Sequence, residues 1–178
     1  MRRDQLEHLI RACADLVDDE DIVVLGSQAI LAQHPGAPES MLASTEADVY
    51  PRRHPERTDV IDGAIGEGSI FQETFGYYAH AVGPETAVAP AGWEERLVPI
   101  SNANTRGATG WCLEAHDLVL ANCVAGRERD WAFAEEAVRH GLVERAELFA
   151  RLELLPLEPE RRGSLERALA ARYAKLAQ

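Results

Sequence analysis

With 178 residues, 46% of them hydrophobic and 27% charged, the chain is long enough for one domain with a real core and a small helical appendage. No apolar run approaches the roughly 18–20 residues of a membrane span, and the amphipathic start Met1-Arg2-Arg3-Asp4-Gln5-Leu6 lacks the apolar core of a signal peptide, so a cytoplasmic protein with no membrane partner is expected. The formal net charge of −12 opposes nucleic-acid binding except where arginines cluster, and Cys13, Cys112 and Cys123 show no metal spacing and suit buried sites in a reducing compartment.

In chain order, residues 3–17 place Leu6, Leu9, Ile10, Cys13, Leu16 and Val17 on one stripe and predict an amphipathic helix. A polar turn at 18–21 leads into a short buried strand at 22–25, then Gly26-Ser27 and a helix from Ser27 to about Gln33. His34-Pro35-Gly36-Ala37-Pro38 reads as a loop. Residues 45–50 read as a strand stopped by Pro51, and Pro55 to Ile65 as a helix with Val60, Ile61 and Ile65 on one face. Short strands are expected at 77–82, 96–100 and 111–113, with a loop around Pro84–Trp93. From His116 the pattern turns helical. Helices are expected over about 117–126, ending near Gly126, then from Asp130 as N-cap to about His140, over 143–152, and over roughly 158–176. The expected architecture is α/β of the α+β kind: a small mixed sheet flanked by helices over 1–114, with a C-terminal helical bundle over 115–178 packed on it as one compact unit.

Two short stretches carry chemistry. In Thr45-Glu46-Ala47-Asp48-Val49-Tyr50 the acids stand at i and i+2 of a strand, so both side chains leave the same face. Converging carboxylates repel unless a positive charge sits between them, and a divalent cation supplies it. The plainer reading is a solvated strand edge. Gly26 and Ser27 at a helix start offer backbone N–H groups to a phosphate, or serve simply as a tight turn and a cap. A phosphate cradle with metal-binding acids is the equipment of phosphoryl transfer. Near neutrality His80 could act as a base, or it could be a packed strand residue. No His-Glu-x-x-His, Gly-x-Ser-x-Gly or Walker loop occurs.

Arginine dominates the basic residues: Lys175 is the only lysine, so none is available in the first 174 residues to hold a triphosphate. Two arginine clusters could face an anionic partner, namely Arg52, Arg53 and Arg57, and Arg161, Arg162, Arg167 and Arg172. The plainer reading of both is a solvated face.

Leu25-Gly26-Ser27 followed by Glu46-Ala47-Asp48-Val49 resembles the signature of the polymerase-beta-like nucleotidyltransferase superfamily. More of the chain is similar to the bacterial DUF6036 nucleotidyltransferase-like group, relatives of AbiEii-type and MenT-type toxins. The matching text is Leu25-Gly26-Ser27-Gln28-Ala29-Ile30, Ser44-Thr45-Glu46-Ala47-Asp48-Val49-Tyr50-Pro51, Gly76-Tyr77-Tyr78, Gly92-Trp93-Glu94-Glu95-Arg96-Leu97, and His116-Asp117-Leu118 leading to Ala125-Gly126-Arg127-Glu128-Arg129-Asp130. The resemblance implies an enzyme moving a nucleoside monophosphate from an NTP to an acceptor hydroxyl, with Mg²⁺ or Mn²⁺ held by Glu46 and Asp48 as catalytic acids and phosphate bound at Gly26 and Ser27. The acceptor in such toxins is a tRNA 3′ end or a protein side chain, and a cognate antitoxin is an implied partner. The resemblance also places Asn122, Arg127 and Asp130 at nucleotide-binding positions. It departs from the family at Asn122, where related sequences carry a lysine, so the protein is either impaired or uses Arg127 or Arg129 in its place. A catalytically impaired nucleotide-binding or regulatory module is the alternative.

Overall fold

The computed structural model describes residues 1–176, which form two compact units. The first comprises Met1–Thr86 and Leu97–Glu114; the second comprises Ala87–Arg96 and the chain from Ala115 onward.

The first unit is built on a five-stranded mixed sheet in the order β3-β2-β1-β5-β4, with β1 at Asp21–Val24, β2 at Glu46–Pro51, β3 at Tyr78–Ala81, β4 at Val98–Ile100 and β5 at Thr109–Cys112. β1 runs antiparallel to β2 and parallel to β5; β2 is parallel to β3, and β4 is antiparallel to β5. Helix α1, Arg3–Val17, buries Leu6, Leu9, Ile10, Cys13 and Val17 completely, as its stripe predicts, while Leu16 stays half-exposed. A β-carbon on Gly110 would overlap Ile10 Cδ1, so α1 lies against the sheet face that carries Gly110. Strand pairing puts Ile22 and Val24, and with them Val49, on that same apolar face. Glu46 and Asp48 alternate with Ala47 and Val49 and therefore leave the opposite face.

Several elements differ from the sequence expectation. The helix after Gly26 is a six-residue 3₁₀-helix, Ser27–Ala32, rather than an α-helix to Gln33. Pro51 closes β2 as its last residue instead of standing outside it, paired with Ile22. The segment from Pro55 begins with a 3₁₀ turn, Pro55–Arg57, before helix α2, Thr58–Ile65. Ile61 and Ile65 are buried there, but Val60 is exposed, one residue round the helix from Ile61. Helix α3, Ile70–Phe75, was not expected; Ser69 caps it by accepting from the Gln72 N–H, and Gly76 ends it.

The second unit holds α4 (Ala115–Ala125), α5 (Glu128–Arg139), α6 (Arg145–Leu152) and α7 (Pro159–Leu176). Gly126 ends α4 at φ 73°, its N–H bonded to Asn122 O at 2.9 Å. Asp130 is not the N-cap of α5. Arg127 occupies that position, and Asp130, three residues on, accepts from the Arg127 backbone N–H at 3.1 Å. The carboxylate closes the turn from within, so the chain needs no polar side chain at the cap itself. The segment 87–96 is fastened by Arg96. Its guanidinium meets the fully buried Asp117 of α4 at 2.7 and 3.1 Å and donates to Ala91 O and Pro90 O. Arg151 of α6 also reaches Asp117, at 3.2 Å, so one buried carboxylate ties three segments together.

All three cysteines are free and buried, and burial pushes each thiol up to about 12, which keeps them protonated as small apolar residues. No helix among the described residues is long and apolar enough to cross a membrane.

Candidate active site

The site grows from the pairing of β1 with β2. Leu25 N–H bonds Asp48 O at 3.0 Å, so the chain leaves β1 still in register with β2 and turns at Gly26 directly beside Asp48. A β-carbon on Gly26 would overlap Asp48 Oδ2. Glycine is therefore required by the carboxylate that stands against it, not by an unusual backbone angle. Ala29 N–H then bonds Gly26 O at 2.8 Å, starting the 3₁₀-helix. Gln28 is fully buried behind this turn and its Nε2 reaches Ser27 Oγ at 3.4 Å.

Across the other edge of β2, the parallel pairing sets Tyr78 beside Glu46 and His80 beside Asp48. Tyr78 donates its hydroxyl to Glu46 Oε2 at 3.0 Å, and His80 Nδ1 lies 2.8 Å from Asp48 Oδ1. Burial and the Glu46 bond push the Tyr78 phenol up to about 12, so it remains a donor throughout the neutral range. Each acid thus has a partner from β3, and Asp48 is held between His80 on one side and Gly26 on the other. The acids are partly exposed, with the Asp48 side chain 28% accessible.

This arrangement fits a divalent cation by its donor chemistry. Two carboxylates share one face, and the glycine lets the backbone turn approach the second of them closely. Among the described residues no three or more His, Cys, Asp or Glu side chains gather as a ready metal cage, so a cation here would complete its shell from phosphate oxygens and water, as Mg²⁺ commonly does. The six-residue 3₁₀-helix offers little dipole, so phosphate recognition at Gly26 and Ser27 would rest on individual N–H groups and the Ser27 hydroxyl.

Most of the remaining sequence candidates have structural engagements. Arg127 binds Asp130 through Nε at 2.7 Å and Nη2 at 3.3 Å, a pairing at the start of α5. Asn122 is on α4, where its carbonyl accepts from Gly126. Of the first arginine cluster, Arg52 stacks on Trp111 with its guanidinium carbon 4.9 Å from the ring centroid, and Arg53 pairs with Asp21. The buried Asp19 accepts from the backbone N–H groups of Arg53 and His54 at 2.8 and 3.2 Å. Asp21 therefore offsets part of this cluster's charge. In the second cluster, Arg161 donates to Val124 O, Arg162 to Glu153 O, and Arg172 stacks 3.9 Å over Trp131 and meets Glu135 at 3.1 Å.

The sequence reading noted His80 but not its tie to Asp48, and it did not single out Tyr78 as a partner of Glu46. The signal was present: Tyr78-Ala79-His80 repeats the polar-small-polar alternation of Glu46-Ala47-Asp48, as two adjacent strands in register would.

The first unit is thus a small mixed sheet with helices beside it, an acid-x-acid strand next to its central strand and a Gly-Ser turn against the second acid. The model of the family described as a nucleotidyltransferase of unknown function, DUF6036, matches residues 4–151, and the chain belongs to that family. No curated protein and no solved structure matches the chain significantly.

Proposed function

We propose that the protein is a metal-dependent nucleotidyltransferase that moves a nucleoside monophosphate from an NTP to an acceptor hydroxyl. The observation that carries this reading is the position of Asp48, on the same strand face as Glu46 and packed against Gly26. Glu46 and Asp48 hold Mg²⁺ or Mn²⁺, which when bound neutralises phosphate charge and aligns the triphosphate. Gly26 brings the turn against Asp48, and the Ser27 hydroxyl and the turn's N–H groups bind phosphate oxygens. Tyr78 and His80 fix the orientation of the two acids. In the reaction the acceptor hydroxyl releases its proton to water as its oxygen bonds the α-phosphorus, the bond from the α-phosphorus to the α–β bridging oxygen breaks, and pyrophosphate leaves. The reading extends to a cytoplasmic toxin of a toxin–antitoxin pair, with a tRNA 3′ end or a protein side chain as acceptor.

The test is incubation with each labelled NTP, Mg²⁺ and total tRNA, followed by a search for labelled RNA or labelled protein. Labelling that disappears in Asp48→Asn supports the reading; no labelling with any NTP overturns it as a catalytic assignment.

A second reading, a catalytically impaired nucleotide-binding module, is favoured by Asn122 at the family's lysine position and by the engagement of Arg127 with Asp130. Under it, NTP binds without transfer. Asn122→Lys separates the two: a gain of about 1 kcal/mol in nucleotide affinity with new transfer activity marks a site impaired by the missing charge.

A further inference from the structure

We propose that Gln28 is a positioning residue: its side-chain amide turns the Ser27 hydroxyl outward, as a hydrogen-bond donor to the phosphate oxygens of the nucleotide. The inference rests on the proposed phosphate site at Gly26 and Ser27 and adds to it the group that sets the hydroxyl's polarity.

Gln28 is the second residue of the 3₁₀-helix Ser27–Ala32 and is fully buried. An amide is an expensive choice there. Gln28 Oε1 has no hydrogen-bond partner among the described residues, and a buried acceptor left unpaired destabilises a fold. Methionine, unbranched and of similar length, fills such a space without that penalty. Among the described residues the amide's one hydrogen bond runs from Nε2 to Ser27 Oγ, at 3.4 Å.

The direction of that bond matters. A hydroxyl carries one proton and two lone pairs. The Gln28 N–H engages a lone pair of Ser27 Oγ and leaves the proton free. No acceptor among the described residues takes that proton, and the hydroxyl does not cap the helix, whose N-cap is Gly26. Ser27 is half-buried beside the fully buried Gln28, so the amide meets the hydroxyl from the protein side. Ionised phosphate oxygens accept hydrogen bonds and do not donate them. A serine held from behind by a donor presents its proton to them, whereas one held by an acceptor would present lone pairs and repel them. At 3.4 Å the bond is long in the free protein. It shortens when Oγ–H donates to an anion, because donation makes the oxygen a better acceptor.

The experiment uses the full chain, Mg²⁺ and the α,β-methylene analogue of each NTP. Affinity is read by calorimetry, and stability by the melting temperature without ligand. Gln28→Met should melt at or above wild type and bind the analogues about five- to tenfold more weakly. The factor should be the same for every base that binds, since the contact is with phosphate. Ser27→Ala should lose about tenfold, and adding Gln28→Met to it should lose nothing more, because the amide acts through the hydroxyl. In the ¹H–¹⁵N spectrum, the side-chain amide pair that vanishes in Gln28→Met should move downfield when wild type binds analogue. Gln28→Leu serves as a second apolar variant. Wild-type affinity in both variants overturns the inference. So does an equal loss in the Ser27→Ala background, or an amide signal that binding does not move. A melting temperature several degrees below wild type in both variants also overturns it, since the amide then serves the core alone. Asp48→Asn separates this inference from the reading it rests on. If wild type binds no analogue, or Asp48→Asn binds as wild type does, the functional reading fails and takes the role of Gln28 with it. If Asp48→Asn and Ser27→Ala lose affinity while Gln28→Met does not, only the role of Gln28 is wrong.

Discussion

Gly26 and Asp48 touch so closely that no side chain fits between them: a β-carbon on Gly26 would occupy the place of Asp48 Oδ2. The obstacle is the Asp48 side chain, its Cγ and Cβ included, rather than backbone, so Gly26→Ala should turn Asp48 aside and leave the fold standing. An off-rotamer carboxylate costs about 0.5–1.5 kcal/mol, and the melting temperature should fall by only a few degrees. The metal-dependent rise in melting temperature with NTP should be lost. A normal nucleotide shift in Gly26→Ala would show that Asp48 does not meet the ligand.

Asp48→Asn tests the same site by charge. Asparagine keeps an oxygen to accept from His80, so the apo protein should melt within a few degrees of wild type while repulsion with Glu46 is relieved. Mg²⁺ or Mn²⁺ with NTP should stabilise wild type, as any ligand of the native state does, and not the variant. Differential scanning fluorimetry across nucleotide concentrations reads both effects.

Asp117 is predicted to be a stability residue. It is fully buried and its carboxylate bonds both Arg96 and Arg151. Asp117→Ala leaves two guanidinium groups without their buried partner, which by the usual scale for breaking such pairs costs about 3–5 kcal/mol. Urea unfolding should show that loss, with a melting temperature lower by on the order of 10 °C. A change below about 1 kcal/mol would mean that water replaces the carboxylate.

Glu7 predicts a specific acid sensitivity. Burial raises its pKa, but hydrogen bonds from Asn104, Asn102 and Arg3 outweigh burial and hold it below the ordinary 4.5. A carboxyl whose folded value is depressed contributes stability that is complete above its unfolded pKa and is lost as pH falls through the folded one. The contribution should therefore be flat above about pH 5 and decline below 4.5. Glu7→Gln should destabilise by about 1–3 kcal/mol at pH 7, because an amide donor then faces the asparagine donors. The difference between the two proteins should shrink as the solution is acidified through that range; a constant difference down to pH 3 would contradict the assignment.

The sequence by itself determined the features that depend on local periodicity. The stripe of α1, the alternation that sends Glu46 and Asp48 to one face while Ala47 and Val49 enter the core, and the glycine stop at 126 all follow from residues a few positions apart. It also carried the family signature, since Gly-Ser and acid-x-acid are short contiguous texts. It read the Ser27 helix as α because composition does not distinguish i→i+3 from i→i+4 bonding, and it missed α3 because Ile70 and Phe75 are largely exposed on a helix of only six residues. Only the tertiary structure decided what meets the acids. Glu46 and Tyr78, like Asp48 and His80, are 32 residues apart and become neighbours through a parallel pairing that the matching alternation of the two strands permits but does not by itself fix. Asp48 stands against Gly26 for the same reason: β1 and β2 are joined by a long connection, and their contact is fixed by backbone hydrogen bonds between strands rather than by anything adjacent in the chain.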